Sequence, residues 1–373
     1  MTIGDLSAAV AAAAGAAQAA GVLAGPVPPD GAALAGTWRP VPAADGGGPG
    51  SYATSIPFVL ASRSGSGPAE VAAVLAAQLP GVAPDAGIAR AAVTGAGYLS
   101  LTVSPDALGQ LAARIIQAGP DCARSDALRG AKLAAPRQTS LADAEGWDDA
   151  WRWLAAELTG RLASAAGAEV TWVDRPARPG PAGLGRARPG LVAGAVEFAG
   201  PDAIQYALCR AVPRGTGPTA GIRGIDPGAA AAQHLGNPFY AVRYAHVHAA
   251  SIRRQSADPR LPAADPAQLQ PRLLAHPRER ALLDAMSWLP ERVAGAARRR
   301  QPHVLAAYLE GLAGTYLDWQ QCCSLSQPGA VPPGPAPWPG TPLGQARLLL
   351  ASAVRTVLGT GLGLLGVAAP DSS

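Results

Sequence analysis

The sequence predicts three unlike parts: an α+β N-terminal domain, a short α/β middle segment and an all-α C-terminal helical bundle. Two short alternating stretches, Arg90–Val93 and Tyr98–Val103, flank a Gly95-Ala96-Gly97 turn among helical patterns in the first 116 residues. From 117 to 199 the chain turns polar and irregular, then offers one helical stripe and one strand-like run. From 200 to 373 apolar residues recur only at helical spacing.

Residues 3–24 suit a helix carrying Ile3, Leu6 and Val10. Turns rich in Pro and Gly follow, and Thr37–Val41 is short enough for a strand. Ser51 to Leu60 reads as a helix interrupted by Pro57, and Pro68 opens another with Val71, Val74, Leu75 and Leu79 on one face. Leu108–Ile116 closes the first unit. In the middle, Trp147, Trp151, Leu154 and Leu158 make a helical stripe, and Glu169–Val173 a strand. The run RPARPGPAGLGRARPG after it reads as a mobile loop. Helices then follow over Pro201–Arg210, Asn237–Gln255, Leu273–Val293, Pro302–Ser324 and Gln345–Leu365, with a proline-rich loop from Gln327 to Gly344.

The chain has 373 residues, 49% hydrophobic but only 5% aromatic, with 45 Gly and 37 Pro. Lys132 is its one lysine, which excludes mechanisms that need a lysine pair. The net charge is +4, but Asn237 to Arg300 holds 11 Arg against 5 acids, a local excess of +6 that suits an anionic partner. Cys122, Cys209, Cys322 and Cys323 show no zinc spacing, and the first residues lack the basic start of a signal peptide. A cytoplasmic protein without membrane contact is expected.

One stretch concentrates the chemistry. Asn237 is a good N-cap before Pro238, and at 100° per residue Ala241, Ala245 and Ile252 share a face flanked by His248 and Ala249. Arg243, His246 and Arg254 fall opposite, with Arg253 at the edge, and Tyr240 and Tyr244 run along one flank. A cationic ridge beside an aromatic ledge can contact phosphates and stack on unpaired bases. The same pattern also describes a half-buried bundle helix whose arginines are merely solvated.

Other signals are weak. His246 and His248 diverge by about 200° on a helix, too far to share a metal. The vicinal Cys322-Cys323 reads as buried helix cysteines. Arg298-Arg299-Arg300 either meets phosphate or complements a helix C-terminus. Asp143, Glu145, Asp148 and Asp149 have no His or Lys close in sequence and read as a solvated helix start. The glycine-rich stretches lack the strand and helix context of a nucleotide loop. No catalytic residue, metal or cofactor is expected.

Several motifs resemble those of arginyl-tRNA synthetases. GPDAIQYAL at Gly200–Leu208 is similar to that family's G-A-D-A-x-R-Y-x-L, the stretch that names its DALR anticodon-binding domain. NPFYAVRYAH at Asn237–His246 resembles N-P-x-Y-Y-V-Q-Y-A-H, and Tyr308–Tyr316 and Leu364–Pro370 resemble the two closing helices. SYAT at Ser51–Thr54 and GAGYLSL at Gly95–Leu101 resemble G-D-Y-A-T and G-P-G-F-I-N-F of the additional N-terminal domain. The likeness covers both ends, about three quarters of the chain. The centre departs from it. None of His234, His246, His248, His276 and His303 makes an H-x-G-H element, and Lys132 is in no K-M-S-K-like loop. Leu158–Val173 resembles the helix and strand after the first signature, a degenerate remnant. Two positions of the Asn237 helix also differ: Arg243 stands for the family's Gln and His248 for its Arg.

The resemblance divides the chain at 1–116, 117–199 and 200–373: an additional-domain-like unit, a reduced remnant of the catalytic domain with a linker, and a DALR-type bundle. It implies a non-catalytic synthetase paralogue that binds tRNA or a tRNA-like RNA. Tyr240, Arg243, Tyr244, His246, Arg253 and Arg254 are the expected contacts, with Tyr316 and Trp319 beside them and Tyr52 and Tyr98 in the first unit. A protein–protein scaffold on the same fold and a residual arginine–tRNA ligase are the alternatives.

Overall fold

Thr2 opens the first helix with a reciprocal cap: its hydroxyl accepts the Asp5 N–H at 3.3 Å, and the Asp5 carboxylate accepts the Thr2 N–H at 2.7 Å. A computed structural model of the chain describes residues 1–24, 36–137, 140–174, 190–215, 221–255, 264–323 and 341–370, with the side chains of 43, 253 and 255 left aside. Helix α1 (Ile3–Ala19) buries Ile3, Leu6 and Val10 as the sequence predicts. Strands β1 (Trp38–Pro40), β2 (Ser51–Thr54), β3 (Ile88–Thr94) and β4 (Tyr98–Val103) form an antiparallel sheet in the order β1-β2-β4-β3. Alternation along β4 buries Leu99, Leu101 and Val103 on one face. The β3–β4 turn needs its glycines: Gly95 and Gly97 have φ of 53° and 124°. Helices α2 (Ile56–Ser64), α3 (Pro68–Val82), α4 (Pro105–Gly109) and α5 (Leu111–Ala118) complete the unit. The helix expected over Ser51–Leu60 is a strand followed by a helix. Pro57 does not interrupt that helix but sits in its first turn, where no N–H donor is required.

The described residues of the middle of the chain make one crossover. Strands β5 (Lys132–Arg137) and β6 (Glu169–Asp174) pair in parallel, joined through α6 (Trp147–Ala165). β5 lies where irregular chain was expected. Its short run carries Pro136, which sequence patterning counts against a strand and which an edge tolerates. Gly160 lets α6 approach β5, since a Cβ there would stand 2.4 Å from the Ala135 methyl. The run expected to be a mobile loop lies almost wholly outside the described residues, and α7 (Leu191–Ala199) follows it.

The rest is helical: α8 (Pro201–Arg210), α9 (Pro227–Ala231), α10 (Pro238–Gln255), α11 (Pro277–Ser287), α12 (Leu289–Arg299), α13 (His303–Cys323) and α14 (Pro342–Leu364). The single helix expected over 273–293 is two, α11 and α12. Pro290 cannot donate within a continuous helix, so a new one starts at Leu289. Helix α14 is the one described helix long and apolar enough to cross a membrane. It is instead the central strut of the bundle, burying Leu350, Val354, Val357, Leu358 and Leu362. Gly361 permits its close packing on α13: a Cβ there would lie 2.4 Å from Leu309 Cδ2. Most of the proline-rich loop before α14 lies outside the described residues.

The sheet packs directly on the bundle. The Tyr52 hydroxyl lies 3.1 Å from Ser287 Oγ, and its ring meets Trp288 edge-on at 5.7 Å. The Gly50 N–H donates to Asp284 at 3.0 Å, and Arg272 pairs with Asp106 at 2.9 Å. One apolar core runs from α1 through the sheet into α14.

Candidate nucleic-acid interface

Asn237 fixes where α10 begins. Its side-chain oxygen accepts the Phe239 N–H at 3.2 Å, while its amide donates to Ala230 and Ala232 at 3.0 and 2.7 Å. One buried side chain therefore caps α10 and ties it to α9. The helix runs against both α13 and α14, so a broad stripe is covered: Val242, Ala245, His246, Ala249 and Ile252. This differs from the face expected from sequence. Its centre is turned by one residue, and His246 sits inside it rather than on the basic ridge. Only 3% of His246 is exposed, and its ring packs against Gly359, where a Cβ would stand 3.1 Å from Nε2.

The outward face carries Tyr240, Arg243, Tyr244, Ser251 and Arg254. Tyr240 and Tyr244 stack with centroids 6.0 Å apart and planes 21° from parallel. Tyr244 is 40% exposed. The column continues inward: Tyr244 to His248 at 5.8 Å, His248 to Tyr316 at 5.9 Å, and Tyr316 to Trp319 at 5.7 Å. His248 Nδ1 and the Tyr316 hydroxyl are 2.9 Å apart. Burial holds the His248 imidazolium pKa below its ordinary value and pushes the Tyr316 phenol up. The structure thus brings Tyr240 and Tyr244 together with Tyr316 and Trp319, but in depth rather than side by side. Tyr316 and Trp319 are 0% exposed, so neither offers a surface to a ligand.

Tyr52 is likewise buried, at 1% exposure, because it fills the joint between β2 and α11. Tyr98 is half-buried under the Arg39 guanidinium, 4.2 Å from its ring centre, and beside Phe58 at 4.9 Å. It lies on the first unit, apart from the α10 ledge. Arg253 belongs to α10, and its side chain is outside the described set. Arg298 of the triple arginine pairs with Glu291 at 3.5 Å. Asp148, expected in solvent, accepts the Ile222 N–H at 2.8 Å.

Sequence reasoning missed the arginines beside the α10 N-terminus. Arg210, at the end of α8, and Arg214 and Arg223 after it line one cleft of about 580 Å³ with Asn237 and Phe239. Arg243 lies over the Phe239 ring at 5.3 Å, at the edge of that cleft. Arg210 is bonded to Glu310, while Arg214 and Arg223 are exposed. No spacing marks this group, because the bridge between Arg214 and Gly221, residues apart in sequence, brings it together. The result is a stacked aromatic ledge beside a cationic rim, the combination that holds unpaired bases and phosphates.

Residues 242–372 match the model of the DALR anticodon binding domain. An arginine–tRNA ligase of Frankia alni is 37% identical over 177 residues, 47% of this chain and 29% of that protein. One from Micrococcus luteus is 36% identical over 176 residues, 47% of this chain and 30% of that protein. The chain therefore spans less than a third of the length of the curated relatives it matches. The motifs had suggested a sequence likeness over about three quarters of the chain; the match runs over about half. Likeness along the whole chain is one of fold: the Thermus thermophilus arginyl-tRNA synthetase superposes with a TM-score of 0.64 at 15% identity, over 99% of both chains.

Proposed function

We propose that this arginyl-tRNA synthetase-related chain binds tRNA, or an RNA folded like it, through α10 and the arginine rim beside it, and does so without catalysis. The observation that carries this reading is the Tyr240–Tyr244 stack, its Tyr244 ring exposed and flanked by Arg243 and Arg254, at the N-terminal border of the residues that match an anticodon-binding domain. Stacking on aromatic faces supplies affinity for unpaired anticodon-loop bases, and the arginines supply the salt-dependent phosphate contacts. Tyr98 with Arg39 is a second contact candidate on the first unit.

The absence of catalysis is inferred from what lies between the two flanking units. The described residues there carry one β5–α6–β6 crossover, and the sequence there holds neither an H-x-G-H element nor a K-M-S-K-like loop. Losing preorganised cationic groups from a phosphoryl-type transition state costs several kcal/mol, roughly 3–4 for one well-placed donor. ATP–pyrophosphate exchange with arginine is expected to give no signal; exchange above background would restore the ligase reading.

Electrophoretic shift of total tRNA across a salt series tests the binding itself. Binding that weakens steeply with salt is expected, and failure to bind at low salt overturns it. A protein partner is the second reading, favoured by α7: Leu191 and Phe198, one helical face apart by seven residues, are 64% and 69% exposed. That reading predicts a partner retained by a variant in which Arg243 and Arg254 are both alanine.

A further inference from the structure

The two cysteines that end α13 meet a histidine from the start of α11. Cys322 Sγ and Cys323 Sγ are 3.6 Å apart, and Cys323 Sγ is 3.3 Å from His276 Nδ1. All three donor atoms lie within 4.8 Å of one another. A tetrahedral ion with Zn–S bonds of about 2.3 Å and Zn–N of about 2.0 Å has S···S edges of about 3.8 Å and S···N edges of about 3.5 Å. Two of the three edges are thus already set to within about 0.2 Å of what such an ion requires. We propose that His276, Cys322 and Cys323 bind one zinc-class thiophilic cation, with a fourth position open to solvent.

The surroundings suit that chemistry. Cys323 is buried, whereas His276 and Cys322 are exposed, which gives an ion an entry path to a site with one dry wall. The buried Cys323 thiol is pushed up to about 12 by desolvation, with the Cys322 thiol and the Glu279 carboxylate adding to the shift. Binding forms two S–metal bonds and one N–metal bond and releases two protons, one from each thiol. The Cys322 S–H now faces the Asp318 and Trp319 carbonyls at 3.4 and 3.5 Å, contacts that the thiolate gives up.

One competing demand is visible. The His276 Nδ1 lone pair caps α11 by accepting the Arg278 N–H at 3.2 Å. The other half of that cap does not involve the ring, since Glu279 accepts the His276 N–H at 2.9 Å. Glu279 in turn holds Arg347 of α14 at 2.7 Å. An ion on His276 would thereby brace the ends of α11 and α13 and, through Glu279, the start of α14. Sequence spacing could not show this, because the histidine lies in a different helix from the cysteine pair.

The test is a Co2+ titration of the full chain, reduced and kept anaerobic, with Zn2+ as competitor. One Co2+ per chain is expected, with thiolate-to-cobalt charge transfer in the near ultraviolet and the intense visible bands of a tetrahedral ion, all lost on adding Zn2+. Cys323→Ser should lose the ion. So should His276→Asn, which keeps a good N-cap residue while removing the imidazole, so that its fold can be checked by circular dichroism. A variant with Cys122→Ser and Cys209→Ser should keep it. A weak octahedral spectrum, no retained ion, or unchanged binding in both Cys323→Ser and His276→Asn would overturn the site. A chain isolated two mass units light, with Cys322 and Cys323 joined as a disulfide that resists reduction, would also overturn it.

Discussion

His248 Nδ1 sits 2.9 Å from the Tyr316 hydroxyl, so the exposed aromatic ledge of α10 is hydrogen-bonded to the core of α13 through a single imidazole. Burial favours the neutral form of that imidazole. The unfolded chain takes up the proton more readily, so the contact's contribution is present above the ordinary histidine value of 6.5 and is lost as pH falls through the lower folded value. Thermal unfolding of the wild type should therefore shift down between pH 7 and pH 5 more than that of His248→Phe. Parallel curves for the two proteins would remove His248 as the cause.

Tyr244→Ala should weaken tRNA binding by about 1–3 kcal/mol, the usual worth of one base stack, with little change in salt dependence. Arg243→Ala should instead lower the slope of log affinity against log salt by about 1. Filter binding over a salt series separates the two effects. Equal slopes with and without Arg243 would take that residue out of the phosphate contacts.

Tyr52 belongs to the joint between β2 and α11. Removing its hydroxyl in Tyr52→Phe should cost about 1 kcal/mol of stability, and Tyr52→Ala about 3–5 kcal/mol, by denaturant unfolding. Tyr52→Phe should bind tRNA as the wild type does. Reduced tRNA affinity in a folded Tyr52→Phe protein would return Tyr52 to the RNA surface.

At the same joint, burial raises the Asp284 carboxyl above its ordinary value, against the Tyr52 and Gly50 hydrogen bonds that hold it down. A raised folded value makes the native state the better proton acceptor, so this group's contribution is present in acid and is lost as pH rises through the folded value. Asp284→Asn keeps an acceptor for the Gly50 N–H. It should flatten the stability profile from pH 3.8 upward, read by melting at successive pH values. An unchanged profile would assign the acid limb to other carboxylates.

Gly361→Ala sets two effects against each other. Alanine favours a helix over glycine by about 1 kcal/mol, but overpacking a filled site costs about 1–3 kcal/mol. Leu309, which the new methyl would meet at Cδ2, Cδ1 and Cγ, is fully buried and would have to shift. Net destabilisation of about 1 kcal/mol is expected by denaturant titration; a stabilised variant would show that α13 and α14 can separate freely.

Much of this was legible in the sequence, for physical reasons that also mark where legibility stops. Helices α1, α3, α8, α13 and α14 announce themselves by apolar spacing and capping residues. The inward face of α10 did not, because alanines stand on both of its sides and only the positions of α13 and α14 decide which are covered. Tyr316 and Trp319 follow the same rule: an aromatic stripe on a helix looks alike whether it meets a partner or the core. Pro136 hid β5, and Pro57 suggested a break where it marks a helix start. Arg210, Arg214 and Arg223 reach one cleft through a loop, and loops carry no periodicity from which to read a meeting point.

The bonds from Tyr52 to Ser287 and from Gly50 to Asp284 join the N-terminal sheet to the helical bundle through partly and fully buried polar groups. Parting the two would leave those groups unpaired as well as exposing the Tyr52 and Trp288 rings, so the joint resists opening on polar and apolar grounds at once.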